Sequence, residues 1–282
     1  MPAQGKFPLL AGVLVAYAVL TLALVMYVAN TSYTPASLGD ISGDTKLPEL
    51  QNIDDIATRK QAFIDLITPM VEQKNNALLE VRELLLQMQH EIAQGKTLSH
   101  TQKAQMRRLA VHYKLAAKST AEPAPTKTEV KTPPAEQIQQ LLKRVDIIPA
   151  SMVVAQAAAE SGWGTSRFAQ QAQNLFGQWC YNKGCGLVPK RRAAGATHEV
   201  QKFASLEQAV NAYFHNINTH YTYQPVRAHR AKLRRAGEAI SGQLLIAGLT
   251  GYSSRGQAYV DELAELIRYN KLDALEQHQR AP

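Results

Sequence analysis

A single glutamate ends an apolar, alanine-rich stretch of the sequence. Residues 157–169 read AAAESGWGTSRFA, so Glu160 closes a segment whose apolar residues predict a buried helix. A carboxyl group among apolar neighbours has its charged form disfavoured, and the negative end of the helix dipole adds to that effect. The resulting raised pKa suits a general acid near neutral pH. The alternative is a glutamate that turns into solvent past Gly162 and Gly164, and position alone does not separate the two.

A second carboxylate is available in the segment GATHEVQKF, where residues 197–203 alternate like a strand. Glycosidases usually need two carboxyl groups, and Glu199 is the candidate partner of Glu160. On a strand, Glu199 shares one face with Thr197, Gln201 and Phe203, a mixed row that could line a cleft. From the sequence alone, an exposed strand charge is the favoured interpretation of Glu199.

The other titratable residues fit ordinary roles. Glu207 lies in the first turn of a helix that begins with a capping-box sequence, and Asp146 precedes Ile147-Ile148-Pro149 as a turn residue. The histidines show neither metal-ligand spacing nor a Ser/Asp constellation. We therefore predict no metal site and no cofactor.

The chain has only two cysteines, Cys180 and Cys185, in the segment WCYNKGC. In an exported domain, a disulfide that closes a hairpin is the natural interpretation, and two unpaired buried thiols are the alternative. A metal site is disfavoured because no second Cys/His pair stands at ligand spacing.

The N-terminus carries the strongest localisation signal. Residues 7–29 contain no charged residue and are long enough to cross a membrane as a helix. Tyr27 stands where a signal-peptide cleavage site needs a small residue, which favours an uncleaved single-pass anchor over residues 1–30. Lys6 precedes this span, and Asp40 and Asp44 follow it. The charge pattern therefore predicts that the C-terminal bulk lies outside the cytoplasm, at the inner membrane.

Composition divides the rest of the chain into four parts. Residues 31–49 are predicted to be a polar tether, and residues 50–118 a helical module that acts as a spacer or support, or as a docking surface. Residues 119–135 form a Pro/Thr-rich linker. Residues 136–275 are a helical domain with one small β-rich insertion.

The net charge of +8 favours acidic partners such as anionic membrane, nucleic acid or an anionic polymer. No nucleic-acid-binding signature is present, so nucleic acid is not expected as a partner. The basic clusters Lys190-Arg191-Arg192 and Arg227 to Arg235 could face anionic wall polymer or peptide-stem carboxylates. Solvated helix and loop faces are the more usual explanation.

A longer motif adds a resemblance to these observations. Residues 155–179, AQAAAESGWGTSRFAQQAQNLFGQW, resemble the signature of the family 73 glycoside hydrolases, the bacterial endo-β-N-acetylglucosaminidases. The downstream segments SLEQAVNAYF, NTHYTYQPVR and TGYSSRGQAYVDEL match in order, so the resemblance covers about residues 136–272. Together with the N-terminal anchor and helical module, this domain resembles the Bax-type membrane-associated members of that family.

The resemblance implies a mainly α, lysozyme-like fold in which a helical lobe and a small β-lobe flank a sugar-binding groove. It implies hydrolysis of the β-1,4 bond after N-acetylglucosamine in peptidoglycan. Glu160 falls on the family's general acid, and Glu199 falls on its second carboxylate. Tyr252 falls on the tyrosine of the family segment GYATDPxY, which reads GYSSRGQAY here, so its flank departs from the pattern.

The resemblance also implies that Asn174, Phe176 and Trp179 line the cleft, although Phe176 suits packing between the lobes equally well. Tyr221 and Tyr223 are further candidates for sugar binding, and a packed tyrosine is an equally ordinary interpretation of each. The competing functions are a lytic transglycosylase or muramidase, and a non-catalytic wall-binding scaffold.

Overall fold

The computed structural model describes residues 38–115, 132–190, 192 and 195–279. The predicted anchor over residues 1–30, most of the predicted linker and Arg191 lie outside these residues. Within the described ranges, no helix combines the length and the apolar character needed to cross a membrane.

Two helices form the N-terminal part of the described chain. Helix α1 spans Ile56–Ala93, and the side chain of Asp55 caps it by accepting a hydrogen bond from the Thr58 amide. Helix α2 spans His100–His112 and begins with a capping box that Ser99 and Gln102 form. Both helices fall within the region where the apolar spacing predicts helices.

The described residues of the C-terminal part contain seven helices, which begin and end as follows: α3 Pro134–Arg144, α4 Ala150–Ser161, α5 Arg167–Ala172, α6 Leu206–Thr219, α7 Gln224–Ala236, α8 Gly242–Leu245 and α9 Gln257–Tyr269. Short 3-10 turns span Leu50–Asn52, Tyr221–Tyr223, Ile246–Leu249 and Leu272–Gln279. The described chain is thus mainly helical, as predicted.

A small antiparallel sheet interrupts the helices between α5 and α6. Its strands are β1 Trp179–Cys180, β2 Gly186–Leu187 and β3 Glu199–Gln201, and β3 lies in the middle. The predicted disulfide between Cys180 and Cys185 is confirmed. It does not close a two-stranded hairpin, because β1 and β2 each pair with β3 rather than with each other.

One hydrophobic core runs through the described residues, and α4 lies at its centre. Ten of the twelve residues of α4 are buried, because helices α1 and α9 and the 3-10 turn over 272–279 all pack against it. Helix α1 also packs against α3 and α6. The N-terminal helical module therefore supports the C-terminal domain directly.

Residues 38–49 differ from the predicted tether because they pack against the same core. Ile41 and Leu47 are buried, and the Ile41 amide and carbonyl exchange hydrogen bonds with the side chain of Asn211 on α6. The Leu206 amide donates to the Thr45 carbonyl. These contacts attach the segment to the beginning and the middle of α6.

Asp146 is not the exposed turn residue that its position suggested. It is 2% exposed and lies within 4 Å of three arginines: Arg82 of α1, and Arg230 and Arg234 of α7. Burial alone would raise the pKa of Asp146, but the charge of Arg230 and the contacts of Arg234 and Arg82 lower it. This buried ionic cluster joins the N-terminal helix to the C-terminal domain.

Candidate active site

A sharp backbone turn places Glu160 at the last turn of α4. Gly162, Trp163 and Gly164 follow with φ angles of 59°, 57° and 78°, all in the left-handed region that favours glycine. A Cβ atom at Gly164 would lie 2.9 Å from Leu50 and 3.1 Å from Phe63, so only glycine fits there. The SGWG motif therefore ends α4 in a turn that packs against Leu50 and against Phe63 of α1.

Trp163 makes the same connection through its side chain. Its ring packs edge-on against Phe63 of α1 at 5.8 Å, and the Lys60 ammonium group lies 4.9 Å from the ring centre. The Gly164 amide donates to the Ser161 hydroxyl, which fixes the turn internally. Helix α1 thus helps to hold Trp163, the third residue after the candidate acid Glu160.

The Glu160 side chain is exposed to solvent on one side and surrounded by protein atoms on the other. The partial desolvation raises the pKa of Glu160, a hydrogen bond from Tyr259 opposes the shift, and the nearby charge of Glu262 adds to it. The direction agrees with the expectation from its apolar sequence context. The carboxyl group is therefore reachable from solvent, and its pKa lies above that of an ordinary glutamate.

The NLFG segment covers Glu160. A Cβ atom built on Gly177 would lie 3.2 Å from Glu160 Oε2, and Gly177 has a φ of +63°. One residue earlier, the Phe176 carbonyl accepts a hydrogen bond from the Tyr252 hydroxyl at 2.8 Å. The predicted residues Glu160 and Tyr252 are thus brought together around this one loop.

A chain of hydrogen bonds leads from the core to Glu160, and we call it the Gln156 relay. The Tyr213 hydroxyl donates to Gln156 Oε1 at 2.6 Å, and Gln156 Nε2 donates to the Tyr259 hydroxyl at 3.0 Å. The Tyr259 hydroxyl in turn hydrogen-bonds the Glu160 carboxylate. Gln156 and Tyr213 are buried, so the relay fixes the position of Tyr259 and, through it, of Glu160.

Sequence reasoning missed the three members of the Gln156 relay, although the sequence contains signals for two of them. Gln156 is a polar residue in an apolar helix and lies four residues before Glu160, on the same helix face. Tyr259 is the second tyrosine of GYSSRGQAY. Tyr213 carries no such signal, because its position in the stripe of α6 indicates only a core residue.

Tyrosines surround the carboxyl group and stay protonated there. Burial, and then the charge of Glu160, raises the pKa of Tyr223 to about 12. Burial also raises the pKa values of Tyr252 and Tyr259 well above the ordinary range. The Tyr252 and Tyr259 rings stack at 5.6 Å, and Tyr223 lies 5.7 Å from Tyr252. These rings offer hydroxyl donors and no additional negative charge.

Glu199 lies in a different environment, on the central strand β3. It is 6% exposed, so the interpretation as an exposed strand charge is wrong. Its Oε1 accepts a hydrogen bond from the Gly184 amide at 3.0 Å, and its Oε2 accepts one from the Gly186 amide at 2.8 Å. These two bonds, that of Gly184 first, lower the pKa of Glu199, which therefore stays ionised.

The disulfide fixes the two amides that hold Glu199. Cys185 lies between Gly184 and Gly186, and its bond to Cys180 ties this loop to β1. Gly186 admits no side chain, because a Cβ atom would lie 1.9 Å from the Val200 carbonyl oxygen. The sulfur atoms and the Glu199 carboxylate lie within 4.8 Å of one another, but a disulfide offers no thiolate to a metal ion.

Three predicted binding residues are buried instead of facing a ligand. Asn174 donates to the Gln178 and Gln201 carbonyls, at 2.8 Å each, and accepts from two backbone amides of its own loop. Phe176 is 1% exposed and stacks on Tyr213 at 4.2 Å, so its packing role is the one observed. Tyr223 is 8% exposed. These side chains shape the site because they fix the loop and the tyrosine cluster.

Trp179 and Tyr221 do present aromatic surface to solvent. Trp179 is 54% exposed, and one face of its ring stacks on His198 at 4.2 Å. Tyr221 is 80% exposed at the start of a 3-10 turn. Exposed, anchored rings of this kind suit stacking on the apolar faces of sugars.

A carboxyl group with a raised pKa among tyrosine hydroxyls and a second, ionised carboxylate on a small sheet are groups of the kind that glycoside hydrolysis uses. The chain belongs to the glucosaminidase family. The matching family model is described as mannosyl-glycoprotein endo-beta-N-acetylglucosaminidase and covers residues 135–272.

Within that family, the chain is similar to Protein bax of Escherichia coli (strain K12). The two are 34% identical over 227 residues, which is 80% of this chain and 75% of that protein. No solved structure matches the chain significantly.

Proposed function

We propose that the chain hydrolyses the β-1,4 bond after N-acetylglucosamine in the glycan strands of peptidoglycan, with Glu160 as the general acid. One observation carries this proposal: Glu160 is reachable from solvent, yet desolvation raises its pKa and Tyr259 holds its carboxyl group. A carboxyl group in that state can donate a proton to a glycosidic oxygen near neutral pH. The glucosaminidase family model supports the choice of an amino-sugar glycan as substrate.

The proposed mechanism gives the two carboxyl groups opposite tasks. Glu160 protonates the leaving oxygen, and Tyr252 braces the loop over Glu160 through its bond to Phe176. Glu199 stays anionic, and it orients the attacking water or stabilises the positive charge on the sugar ring.

Both oxygens of Glu199 accept backbone hydrogen bonds, which makes the carboxylate a poor covalent nucleophile. This favours attack by water or by the 2-acetamido group of the substrate itself over a glycosyl-enzyme intermediate. The proposed mechanism therefore contains no covalent bond between the sugar and this chain.

The proposal includes the cellular setting. Residues 7–29 are uncharged and long enough to form a membrane anchor, and the disulfide suits a compartment outside the cytoplasm. We therefore place the domain on the outer side of the cytoplasmic membrane, next to the cell wall. The helices and the small sheet would flank the glycan groove as the two lobes of a lysozyme-like fold.

Product analysis tests the proposed function. Purified protein is incubated with peptidoglycan sacculi, and mass spectrometry identifies the new chain ends. We expect N-acetylglucosamine at the reducing ends. Products that end in 1,6-anhydro-muramic acid would instead identify a lytic transglycosylase, and equal sugar release by the Glu160→Gln variant would exclude the proposed acid and favour a wall-binding scaffold.

A further inference from the structure

A basic cavity lies outside the candidate active site, between α3, α7 and the 3-10 turn over Tyr221–Tyr223. It has a volume of about 500 Å³. Its lining contains no acidic residue and four cationic ones: Lys143, Arg144, Arg227 and Arg235. We call this cavity, with its four cationic residues, the basic pocket.

The backbone holds two of these cations in place. Arg227 is 7% exposed, and its Nη1 donates to the carbonyls of Ile217 and His220 at 2.8 Å each. Arg144 Nη1 donates to the carbonyls of Tyr113 and Lys114. Carbonyl oxygens fix the direction of a guanidinium group but do not neutralise its charge. Both groups are therefore pre-positioned for an anion.

Among the residues that the structure describes, none of the four cations of the basic pocket forms an ion pair with an acid. Burial, and then the charges of Arg144 and Arg230, lowers the pKa of Arg227 to about 10, so the cations repel one another. The ion pairs found among the described residues use other cations. Glu136 accepts a hydrogen bond from the lining residue Gln140 and forms none of the ion pairs found among the described residues.

The basic pocket adjoins the candidate active site along the chain. Tyr221 lines the pocket, and Tyr223, two residues further in the same turn, packs against Tyr252. The α-carbons of Tyr221 and Tyr223 are therefore within about 8 Å of each other. The turn over Tyr221–Tyr223 therefore connects the lining of the pocket to the tyrosine cluster around Glu160.

We propose that the basic pocket binds the carboxylate groups of an acidic peptide, which in the proposed function is the stem peptide of the glycan substrate. The identity of that peptide rests on the proposed function, whereas the preference for carboxylates rests on the pocket itself. A concave cavity of this volume takes a small branched anion, while a membrane surface would contact a flat or convex basic face. Bound carboxylates relieve the repulsion between the arginines.

Direct binding tests this proposal. The ligand is a soluble disaccharide-peptide with free stem carboxylates, compared with the same compound after amidation, and calorimetry measures the affinity. The Lys143→Gln/Arg235→Gln variant removes two exposed cations of the pocket and leaves Arg144 and Arg227, which the backbone holds, in place. Its matched control is Lys232→Gln/Arg108→Gln, which removes the same charge from exposed positions outside the lining.

We expect the unmodified protein and the control variant to bind the free-acid compound alike. The pocket variant should bind it about tenfold more weakly or worse, because charge-assisted hydrogen bonds are lost. Equal affinity of the pocket variant and the control, or equal affinity for the amidated compound, overturns the proposal. Binding to anionic phospholipid vesicles that only the pocket variant loses, without a change in peptide affinity, assigns the pocket to a membrane surface instead.

Kinetics separate this proposal from the proposed function. The pocket variant should show a raised KM on peptide-bearing glycan and an unchanged KM and kcat on peptide-free glycan. If the unmodified protein cleaves glycan but the variant has the same KM on both substrates, the pocket proposal fails and the function stands. If the unmodified protein cleaves neither, the function fails, and calorimetry alone still decides whether the pocket binds acidic peptide.

Discussion

Glu160 and Glu199 are the two candidate carboxyl groups of the site, yet the chain holds them in different ways. Side chains surround Glu160: Tyr259 is its hydrogen-bond partner, and desolvation raises its pKa. Backbone amides hold Glu199: Gly184 and Gly186 each donate to one of its oxygens, and these bonds lower its pKa. The two environments shift the pKa values of two chemically identical groups in opposite directions.

In the proposed function, this difference assigns the role of acid to Glu160 and the role of anion to Glu199. Pairs of titratable groups whose environments push their pKa values apart reveal the acid and the base of an enzyme. It also indicates how each group is disturbed. One substitution can remove the side chain that hydrogen-bonds to Glu160. The backbone amides that hold Glu199 cannot be removed in this way and change only when their loop becomes less ordered. The following predictions use that contrast, from the largest expected effect to the smallest.

The largest effect should follow from replacing the proposed proton donor. We expect Glu160→Gln to lower kcat about 10²- to 10⁴-fold with little change in KM, because an amide cannot donate the proton that the leaving oxygen needs. Steady-state kinetics on purified glycan strands measure the change. Glu265→Gln, an exposed glutamate on α9, is the matched control and should keep full activity. A Glu160→Gln variant as active as the control would reject the assignment.

Replacing the second carboxylate should have a smaller effect. We expect Glu199→Gln to lower kcat about ten- to a hundredfold, because the amide keeps the size and part of the polarity of the carboxylate but not its charge. The glutamine NH₂ group must also face one of the two backbone amides, so exchange of the Gly184 and Gly186 amide protons should accelerate. Hydrogen-exchange NMR measures that change. A larger loss of kcat in Glu199→Gln than in Glu160→Gln would reverse the two proposed roles.

The disulfide offers a way to disturb Glu199 without touching either carboxyl group. A Cys180→Ser/Cys185→Ser variant should lose about 2 kcal/mol of unfolding free energy, because the closed loop is short. The amides of Gly184 and Gly186 then become less ordered, and the pKa of Glu199 rises towards its ordinary value. The proposed mechanism uses ionised Glu199, so the acid limb of the pH–rate profile should move to higher pH.

The alkaline limb supplies the internal control for the disulfide variant. That limb follows the loss of the proton from Glu160, whose surroundings in the helical part do not include the cysteines. It should therefore stay where it is when the disulfide is removed. A pH–rate profile in which both limbs move together, or in which neither moves, would contradict the separate control of the two carboxyl groups.

The sequence indicates candidate site residues, but it does not indicate what surrounds them. The SGWG and NLFG motifs point to Glu160 and to the loop that packs against it. Their glycines stand at left-handed or crowded backbone positions, and a glycine can be recognised directly in the sequence. The hydrogen bonds that hold Glu199 cannot be predicted from the sequence. Their donors are backbone amides 15 and 13 residues away, and every residue type except proline carries such an amide. A strand pattern therefore cannot distinguish a held carboxylate from an exposed one.

The same limit applies to the N-terminal part of the fold. Helix α1 is predicted from its apolar spacing, but its half-buried Arg82 pairs with Asp146, which is 64 residues away in a segment that the sequence predicts to be a turn. Residues 38–49 look like a polar tether because their contacts with α6 are mostly backbone hydrogen bonds. Local composition predicts elements, whereas pairing between distant segments decides which polar residues are buried.

The smallest effect should come from the hydroxyl that holds Glu160. In a Tyr259→Phe variant the ring remains stacked on Tyr252, but the hydrogen bond that lowers the pKa of Glu160 is absent. The pKa of Glu160 should therefore rise further, and the alkaline limb of the pH–rate profile should move to higher pH. At the optimum we expect kcat to fall about two- to tenfold, because one hydrogen bond that positions the acid is gone.

The Gln156 relay makes this last prediction specific. Gln156→Leu leaves the Tyr259 hydroxyl in place but removes its donor, so the hydroxyl should hold Glu160 less well. The alkaline limb should move in the same direction as in Tyr259→Phe, by a smaller amount. Tyr269→Phe, which alters an exposed tyrosine at the end of α9, should leave the profile unchanged. A shift of the alkaline limb to lower pH in Tyr259→Phe would contradict this prediction. It would show that the Tyr259 hydroxyl does not stabilise the ionised form of Glu160 and that other groups hold Glu160.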